Sequence, residues 1–238
     1  MDRITLLSFR ASEHQSKSED FARGHLKMLS KFGITNITTN NLHWMSSDLV
    51  YAISAIDNQG DVIGGIRIQL YDRVNLMPLQ VAVKDEDSTV LSYFDTFNDK
   101  LVAEICALWI DRDYAQSGLG EILFHSGVVL AKQINVQVLS TICAEYTADM
   151  VESVGFKMIT EFGEEGYFEY PSKAYQARIL VNLDCAEWSA AKPKIRFELQ
   201  TIERHIGKHR IIKPKARNFI LNYDFKRTSI IAGLTGSD

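Results

Sequence analysis

Cysteine and proline are scarce in this 238-residue chain, with three of the first and four of the second. Cys106, Cys143 and Cys185 are odd in number, widely spaced and set mostly in apolar surroundings. That pattern fits buried thiols in a reducing compartment better than a disulfide framework, so a cytoplasmic location is expected. No Cys or His spacing has the form of a zinc site, and no metal is expected. No stretch approaches the roughly 18 uncharged apolar residues of a membrane span. The opening residues, Met1-Asp2-Arg3-Ile4-Thr5-Leu6-Leu7, lack the long apolar core and small-residue cleavage site of a secretory signal. Repeats and low-complexity tracts are missing as well. What remains is a chain 46% apolar and 24% charged, enough to bury a large core as one globular domain with an elaboration.

Charge is unevenly spread. Residues 192–227 hold eleven Lys or Arg against Glu198, Glu203 and Asp224, a local excess of +8 in a chain whose net charge is −4. Such a segment suits an anionic partner, or it is a solvated surface paired with the acidic body. Only Phe197, Phe219, Tyr223 and Phe225 interleave with the bases, and no nucleic-acid motif accompanies them, which argues against nucleic acid.

Hydrophobic periodicity gives the order of elements. Residues 4–9 alternate as a strand, and a charged turn at 12–19 leads into a helix carrying Phe21, Leu26, Met28, Leu29 and Phe32 and stopped by Gly33. Residues 50–56 and 62–70 read as a hairpin around Asp57-Asn58-Gln59-Gly60. Residues 72–100 are irregular, with a short helix expected at 90–97. Further strands are expected at 136–143, from 156 and at 174–183, with a helix over 147–153 capped by Gly155, then a helix at 197–206 and a Lys/Pro-rich tail that frays at 233–238. The predicted fold is a mixed α/β sheet, mostly antiparallel, with helices on both faces: a domain over 1–183 and a basic C-terminal extension over 184–238.

The most informative stretch is 101–132. An apolar run suited to a central strand, Leu101 to Ile110, meets Asp111-Arg112-Asp113-Tyr114-Ala115-Gln116-Ser117-Gly118-Leu119-Gly120 and then a helix carrying Ile122, Leu123, Val129 and Leu130. A strand, a glycine turn and a helix N-terminus together present unpaired N–H groups and the positive end of a helix dipole, which suit a phosphate or pyrophosphate. For a lone G-x-G, a helix start merely packed on a sheet is the commoner outcome.

The element order, with Ala115-Gln116-Ser117-Gly118-Leu119-Gly120 after the central strand and Gly155-Phe156 after the next strand–helix unit, resembles the GCN5-related N-acetyltransferase superfamily over roughly residues 4–169. The resemblance implies that the N–H groups of Gln116, Ser117, Gly118, Leu119 and Gly120 hold a coenzyme A pyrophosphate. It implies that Leu108 and Ile110 offer backbone groups to the pantetheine arm. The donor would be acetyl-CoA or a longer acyl-CoA, the acceptor a small-molecule amine, and the chemistry direct attack aided by proximity and polarisation of the thioester carbonyl. Two positions depart from the family pattern. Ala115 stands where Arg or Gln is usual, and Val151 stands where a tyrosine often protonates the departing thiolate; Tyr146 is the substitute considered for that role.

Gly64-Gly65-Ile66-Arg67-Ile68, Ala103-Glu104-Ile105 and Glu169-Tyr170-Pro171 also resemble segments of acyl-homoserine-lactone and long-chain N-acyl amino acid synthases, although the Glu-x-x-Arg of their central strand is Glu104-Ile105-Cys106-Ala107 here. Those enzymes commonly use acyl carrier protein, an acidic partner that would suit the basic C-terminal region. A homodimer is also common in such folds. A catalytically degenerate module that keeps ligand binding, or serves interaction, is the third reading that Ala115 and Val151 leave open.

Glu104 is the first candidate for general base, because a carboxyl inside an apolar strand is either desolvated with a raised pKa or faces a cleft. A structural ion pair with Arg67 is the equal alternative. Glu145 is the second candidate base, though an exposed carboxylate is its commoner role. Cys106 and Cys143 have no His partner nearby in sequence and read as small hydrophobes. His125 reads as a helix-face residue, and His43-Trp44 as part of a loop on the acceptor side.

Overall fold

A computed structural model describes residues 2–31, 33–34, 42–212 and 219–225. Its elements are β1 (Asp2–Arg10), α1 (Gln15–Lys31), β2 (Val50–Ile56), β3 (Val62–Leu70), α2 (Pro78–Val83), α3 (Val90–Tyr93), β4 (Val102–Ile110), α4 (Leu119–Gln133), β5 (Val138–Ala144), α5 (Glu145–Ser153), β6 (Lys157–Met158), β7 (Tyr167–Glu169), β8 (Gln176–Asn182), α6 (Pro193–Arg204), β9 (His209–Ile212) and β10 (Phe219–Phe225). The strands form one mixed sheet in the order β6-β8-β5-β4-β3-β2-β1-β10-β9, with β7 also on β8. Only β1–β10 and β4–β5 are parallel.

The hairpin β2–β3 has the bounds its alternation predicts. Asp57 ties the turn by accepting from the N–H groups of Gln59 and Asp61. Three expectations are corrected. The irregular segment 72–100 contains α2, and the helix expected at 90–97 divides into α3 and a 3-10 turn over Phe94–Phe97. The last helix starts at Pro193, whose fixed φ suits a first helical position, and ends at Arg204. The basic C-terminal segment also contributes to the sheet, since β9 and β10 extend it beyond β1. Lys213, Lys215, Arg217, Lys226, Arg227 and the expected fraying at 233–238 lie outside the described residues, as do Phe32 and much of the loop at 36–48.

Adjacent residues of β3 separate the two helical layers. A Cβ on Gly65 would run into Phe21 of α1, whereas the next residue, Ile66, packs toward Gly127 of α4, so α1 and α4 cover opposite faces. The α4 side holds the main core with α6. On the α1 side, Phe21 meets Trp44 and Trp109 edge-on, at ring separations of 5.6 and 6.0 Å. A smaller apolar cluster joins α2 and α3 to Val102, Val138 and Ile179.

Gly24 of α1 lies close against the Trp109 ring, and a Cβ there would overlap it. In an exposed helix interior Gly→Ala gains about 1 kcal/mol. Here Trp109 is buried and meets Phe21 edge-on, so moving the ring away from a Cβ would disturb that packing. Gly24→Ala should therefore destabilise the protein by about 1–3 kcal/mol, the usual cost of overpacking, in urea or thermal unfolding. A gain in stability would show that Trp109 yields.

Candidate functional site

Strands β4 and β5 run together for only three residue pairs, Val102↔Val138, Ala103↔Leu139 and Glu104↔Ser140, and then part. The last contact is reinforced by Ser140 Oγ, which donates to the Ala103 carbonyl at 3.0 Å. On its other edge β4 carries a bulge: one residue of β3 faces two of β4 between the Arg67↔Cys106 and Gly65↔Trp109 pairs, with Ala107 at φ 52°. A bulge bends its strand and increases local twist, which turns β4 away from β5. The opening is a cavity of about 220 Å³ between Glu104, Cys106, Ala107 and Leu108 on one wall and residues 141–144 on the other, with Val151 and Tyr146 of α5 along its length. Among the described residues, the edge of β4 toward β5 has no strand partner beyond Glu104. Leu108 and Ile110 both lie in this unpaired stretch.

The strand leads into the glycine turn. Asp111 caps the short 3-10 turn Arg112–Tyr114, Gln116 has φ 59°, and Gly118 sits at φ 81° as the N-cap of α4. A side chain at Gly118 would be strained in that left-handed conformation and would cover the helix start. The Ser117 N–H donates to Tyr114 O at 3.2 Å and the Leu119 N–H to Ser117 Oγ at 3.2 Å. The N–H groups of Gln116, Gly118 and Gly120 have no acceptor among the described residues. A Cβ on Gly120 would make only ordinary contact with Ile110. A turn that aims three N–H donors outward at the positive end of a 15-residue helix fits a pyrophosphate. Ala115 and Gln116 are exposed beside it.

Glu104 is fully buried on β4, with 0% of its surface exposed, and lines the cavity. Its Oε2 accepts from the Leu79 N–H in the first turn of α2 at 2.7 Å, while Oε1 has no partner among the described residues. Burial pushes its carboxyl up to about 8; the Leu79 N–H and then the charge of Arg67 pull it partly back. No direct ion pair joins Glu104 and Arg67 among the described residues. Arg67, opposite Cys106 on β3, is 2% exposed and lies over the Trp44 ring with its guanidinium carbon 4.8 Å from the centroid. Its Nε has no partner. A second cavity, of about 590 Å³, opens on this side between the 3-10 helix Leu42–Ser46 and α2, and is lined by Arg67, Trp44, Gln69 and Pro78. Pro78 lines both cavities, so Glu104 and Arg67 stand near the wall between them.

The remaining candidates separate clearly. Tyr146 is 81% exposed at the rim of the first cavity, and Val151 is buried in its wall. Glu145 is taken by an ion pair with Arg178. His125 is buried, with its pKa lowered by burial, on the closed side of α4, where Glu121 and Glu198 are its charged neighbours. Cys106 and Cys143 face each other's strands across the cavity, but burial pushes both thiols up to about 11, so neither is a ready nucleophile. Trp44 supports Arg67, and His43 lines the second cavity. Sequence reasoning missed His25, which lines the first cavity from α1 and is held neutral by burial and Arg67, its pKa lowered to about 4. Its only sequence signal was a polar residue four places after Phe21, on the face of α1 that buries Phe21, Ala22 and Met28. Among the described residues, no group of three or more His, Cys, Asp or Glu is gathered as metal ligands, and no helix is long and apolar enough to cross a membrane.

The buried carboxyl has a stability signature. Its folded pKa of about 8 lies above the ordinary carboxyl value of 4.5, so its contribution is complete below pH 4.5 and is lost as pH rises through 8. Glu104→Gln removes that loss. Relative to wild type, the variant should gain about 1.4 kcal/mol for each pH unit across this window and nothing more above it, read from urea unfolding at pH 5, 7 and 9. Parallel stability curves for the two proteins would place a charged, solvated Glu104 in the folded state.

No family model matches the chain, and a search of curated proteins finds no match. Solved structures do match. The N-acyl amino acid synthase FeeM, from uncultured soil microbes, aligns with a TM-score of 0.58 at 14% identity over 83% of this chain and 99% of its own. The CoA-dependent acyl-homoserine lactone synthase MesI gives 0.53 at 13% identity over 85% and 95%. An acyl-CoA N-acyltransferase from Pseudomonas aeruginosa gives 0.53 at 10% identity over 75% and 99%. At such identities the likeness is one of architecture, and together with the parted strands and the glycine turn it shows that this chain has the GCN5-related N-acetyltransferase fold.

Proposed function

We propose that the protein is an N-acyltransferase that moves an acyl group from acyl-CoA to an amine by direct attack. The observation that carries this reading is the placement of a buried, raised-pKa carboxyl at the point where β4 and β5 part, in the strand that leads to the glycine turn. In this reading the N–H groups of Gln116, Gly118 and Gly120 hold the pyrophosphate, with Ser117 and Leu119 shaping the turn. The free edge of β4 at Leu108 and Ile110 holds the pantetheine arm in the parted strands. Glu104 takes the proton of the incoming ammonium at Oε1, directly or through a water, while Leu79 fixes Oε2. Tyr146, at the rim, is the group available to return a proton to the departing thiolate. Position and desolvation do the remaining work, since no covalent enzyme intermediate is required.

Exposed Lys192, Lys194 and Lys208 favour a second donor reading, in which an acidic carrier protein delivers the acyl group. Arg196 and Arg210 are less available for such a role: Arg196 bonds Ser189 and Ala191 carbonyls, and Arg210 pairs with Glu198 at 2.5 Å. The likeness to FeeM and MesI supports acceptors of the amino acid or homoserine lactone kind as members of the panel to be tried.

Calorimetry with coenzyme A, acetyl-CoA, longer acyl-CoAs and acylated carrier protein tests the donor side. Gly118→Ala should weaken coenzyme A binding about tenfold, in line with a left-handed penalty of ~1–2 kcal/mol. If none of these ligands binds, the acyltransferase reading falls. Carrier-protein affinity that survives neutralising Lys192, Lys194 and Lys208 would remove the second donor. For a competent acceptor, kcat/KM should climb about tenfold per pH unit up to about 8 and level off. Glu104→Gln should abolish that limb and lower kcat by about 10²–10⁴. Donor binding without turnover across the amine panel would instead favour a degenerate module.

A further inference from the structure

We propose that Arg178 is a positioning residue for the donor: by gripping both ends of α5, it holds one wall of the first cavity at the distance an acyl chain fills. The inference rests on the acyltransferase reading and adds to it the residue that sets the width of the acyl cleft. Helix α5 has nine residues and follows β5 without a break, and its N-cap, Ala144, makes no side-chain cap. A helix this short needs tertiary contacts to hold its place. At about 100° per residue, Tyr146, Thr147, Met150 and Val151 fall on one side of it. All four line the cavity of about 220 Å³. Glu145 and Glu152 fall together on the opposite side, near the first and last residues of the helix.

One guanidinium takes both carboxylates. Arg178 of β8 donates from Nη2 to Glu145 Oε2, and from Nη1 to Glu152 Oε1 at 3.4 Å. Nη2 also reaches Tyr167 Oη of β7 at 3.5 Å, and the guanidinium carbon stands 5.2 Å from the centre of that ring. Arg178 is paired in register with Cys143, which lines the cavity from β5, so the grip starts one strand behind the cavity wall. At the far end of α5, Asn182 Nδ2 donates to Val154 O at 3.2 Å and the Lys192 N–H to Ser153 O at 2.9 Å. Among the described residues, Arg178 is the charged tie between the first turn of α5 and the sheet.

Stability alone does not account for this arrangement. The Arg178 side chain is 11% exposed, and its Nε has no partner among the described residues; the carboxylates it holds are 58% and 41% exposed. Desolvating a guanidinium offsets much of what such pairs return, and an apolar side chain of similar volume commonly serves a fold as well. A planar charged fork adds something an apolar side chain lacks, a fixed place for two carboxylates on one rigid helix. With both taken, Arg178 is not available to a coenzyme A phosphate, and its effect on the donor passes through the cavity wall.

Coenzyme A, acetyl-CoA and octanoyl-CoA, titrated by calorimetry, test this without any acceptor. Wild type should bind octanoyl-CoA about tenfold or more tightly than coenzyme A, because the cleft buries the chain. Arg178→Met should cut that ratio about fivefold and leave coenzyme A and acetyl-CoA within about twofold, since the glycine turn and the β4 edge are untouched. Glu145→Gln/Glu152→Gln, which alters two exposed side chains and keeps Arg178, should cut the ratio likewise, and it serves as the test if Arg178→Met does not fold. Adding Arg178→Met to that pair should lower the ratio no further. A ratio that stays at its wild-type value in either folded variant, equal weakening of all three ligands, or additive losses on combination would each overturn the assignment and leave the acyltransferase reading standing. So would wild type that binds octanoyl-CoA no better than coenzyme A. Wild type that binds none of the three would remove the acyltransferase reading, and the role of Arg178 with it.

Discussion

Everything in the site depends on two parallel strands that agree for three residue pairs and then separate. A parallel pair buried on both faces normally continues until it runs out of residues, because each added rung satisfies backbone groups that water cannot reach. Here the rungs stop at Glu104↔Ser140, and the bulge at Ala107 turns the strand aside. The backbone left unpaired lies beside a cavity instead of protein, which is tolerable only where something polar can come in and go out. The end of β4 reaches the start of α4, where Ile110 lies beside Gly120, so the parted strand runs directly into the glycine turn.

Glu104 makes the bend costly and useful together. Its Oε2 caps the first turn of α2, tying an otherwise marginal six-residue helix to the central strand. Its Oε1 remains unmatched inside the protein. Arg67 modulates it from the adjacent strand without touching it, and His25 stays neutral partly because of the same cation. Three ionisable side chains near the parted strands therefore share about one positive charge at neutral pH. A structural role and a chemical role need not compete for Glu104, because they use different oxygens.

Local signals carried the parts of the fold that local physics decides. Asp57 to Gly60 reads as a turn because Asp57 can tie the loop to itself, and Gly118 reads as a turn because the left-handed position excludes a side chain. The bend at Ala107 left no trace, since alanine in a left-handed conformation is imposed by neighbours rather than preferred. Helix α2 escaped notice for a similar reason: one end is capped by Gln80 from within and by Glu104 from 25 residues away. Of the candidate site, the glycine turn and the buried carboxyl were readable, since each lies in one segment. Arg67 was visible only as a partner for Glu104, and its place over Trp44 and beside a cavity arises from packing between β3 and the Leu42–Ser46 turn, which no periodicity encodes.

The parallel pairing of β1 with β10 has a consequence for how the chain reaches this state. These strands come from opposite ends of the described residues, and their register runs from Asp2↔Phe219 to Ser8↔Phe225. During synthesis, β1 can join β2 early, but its outer edge must wait for β10, which follows α6 in the chain. Until then a buried-type strand carrying Ile4, Leu6 and Phe9 presents an open hydrogen-bonding edge, the kind of template that pairs with other chains. High contact order of this sort slows folding, and it makes the β1–β10 pairing a step that every strand between them can precede.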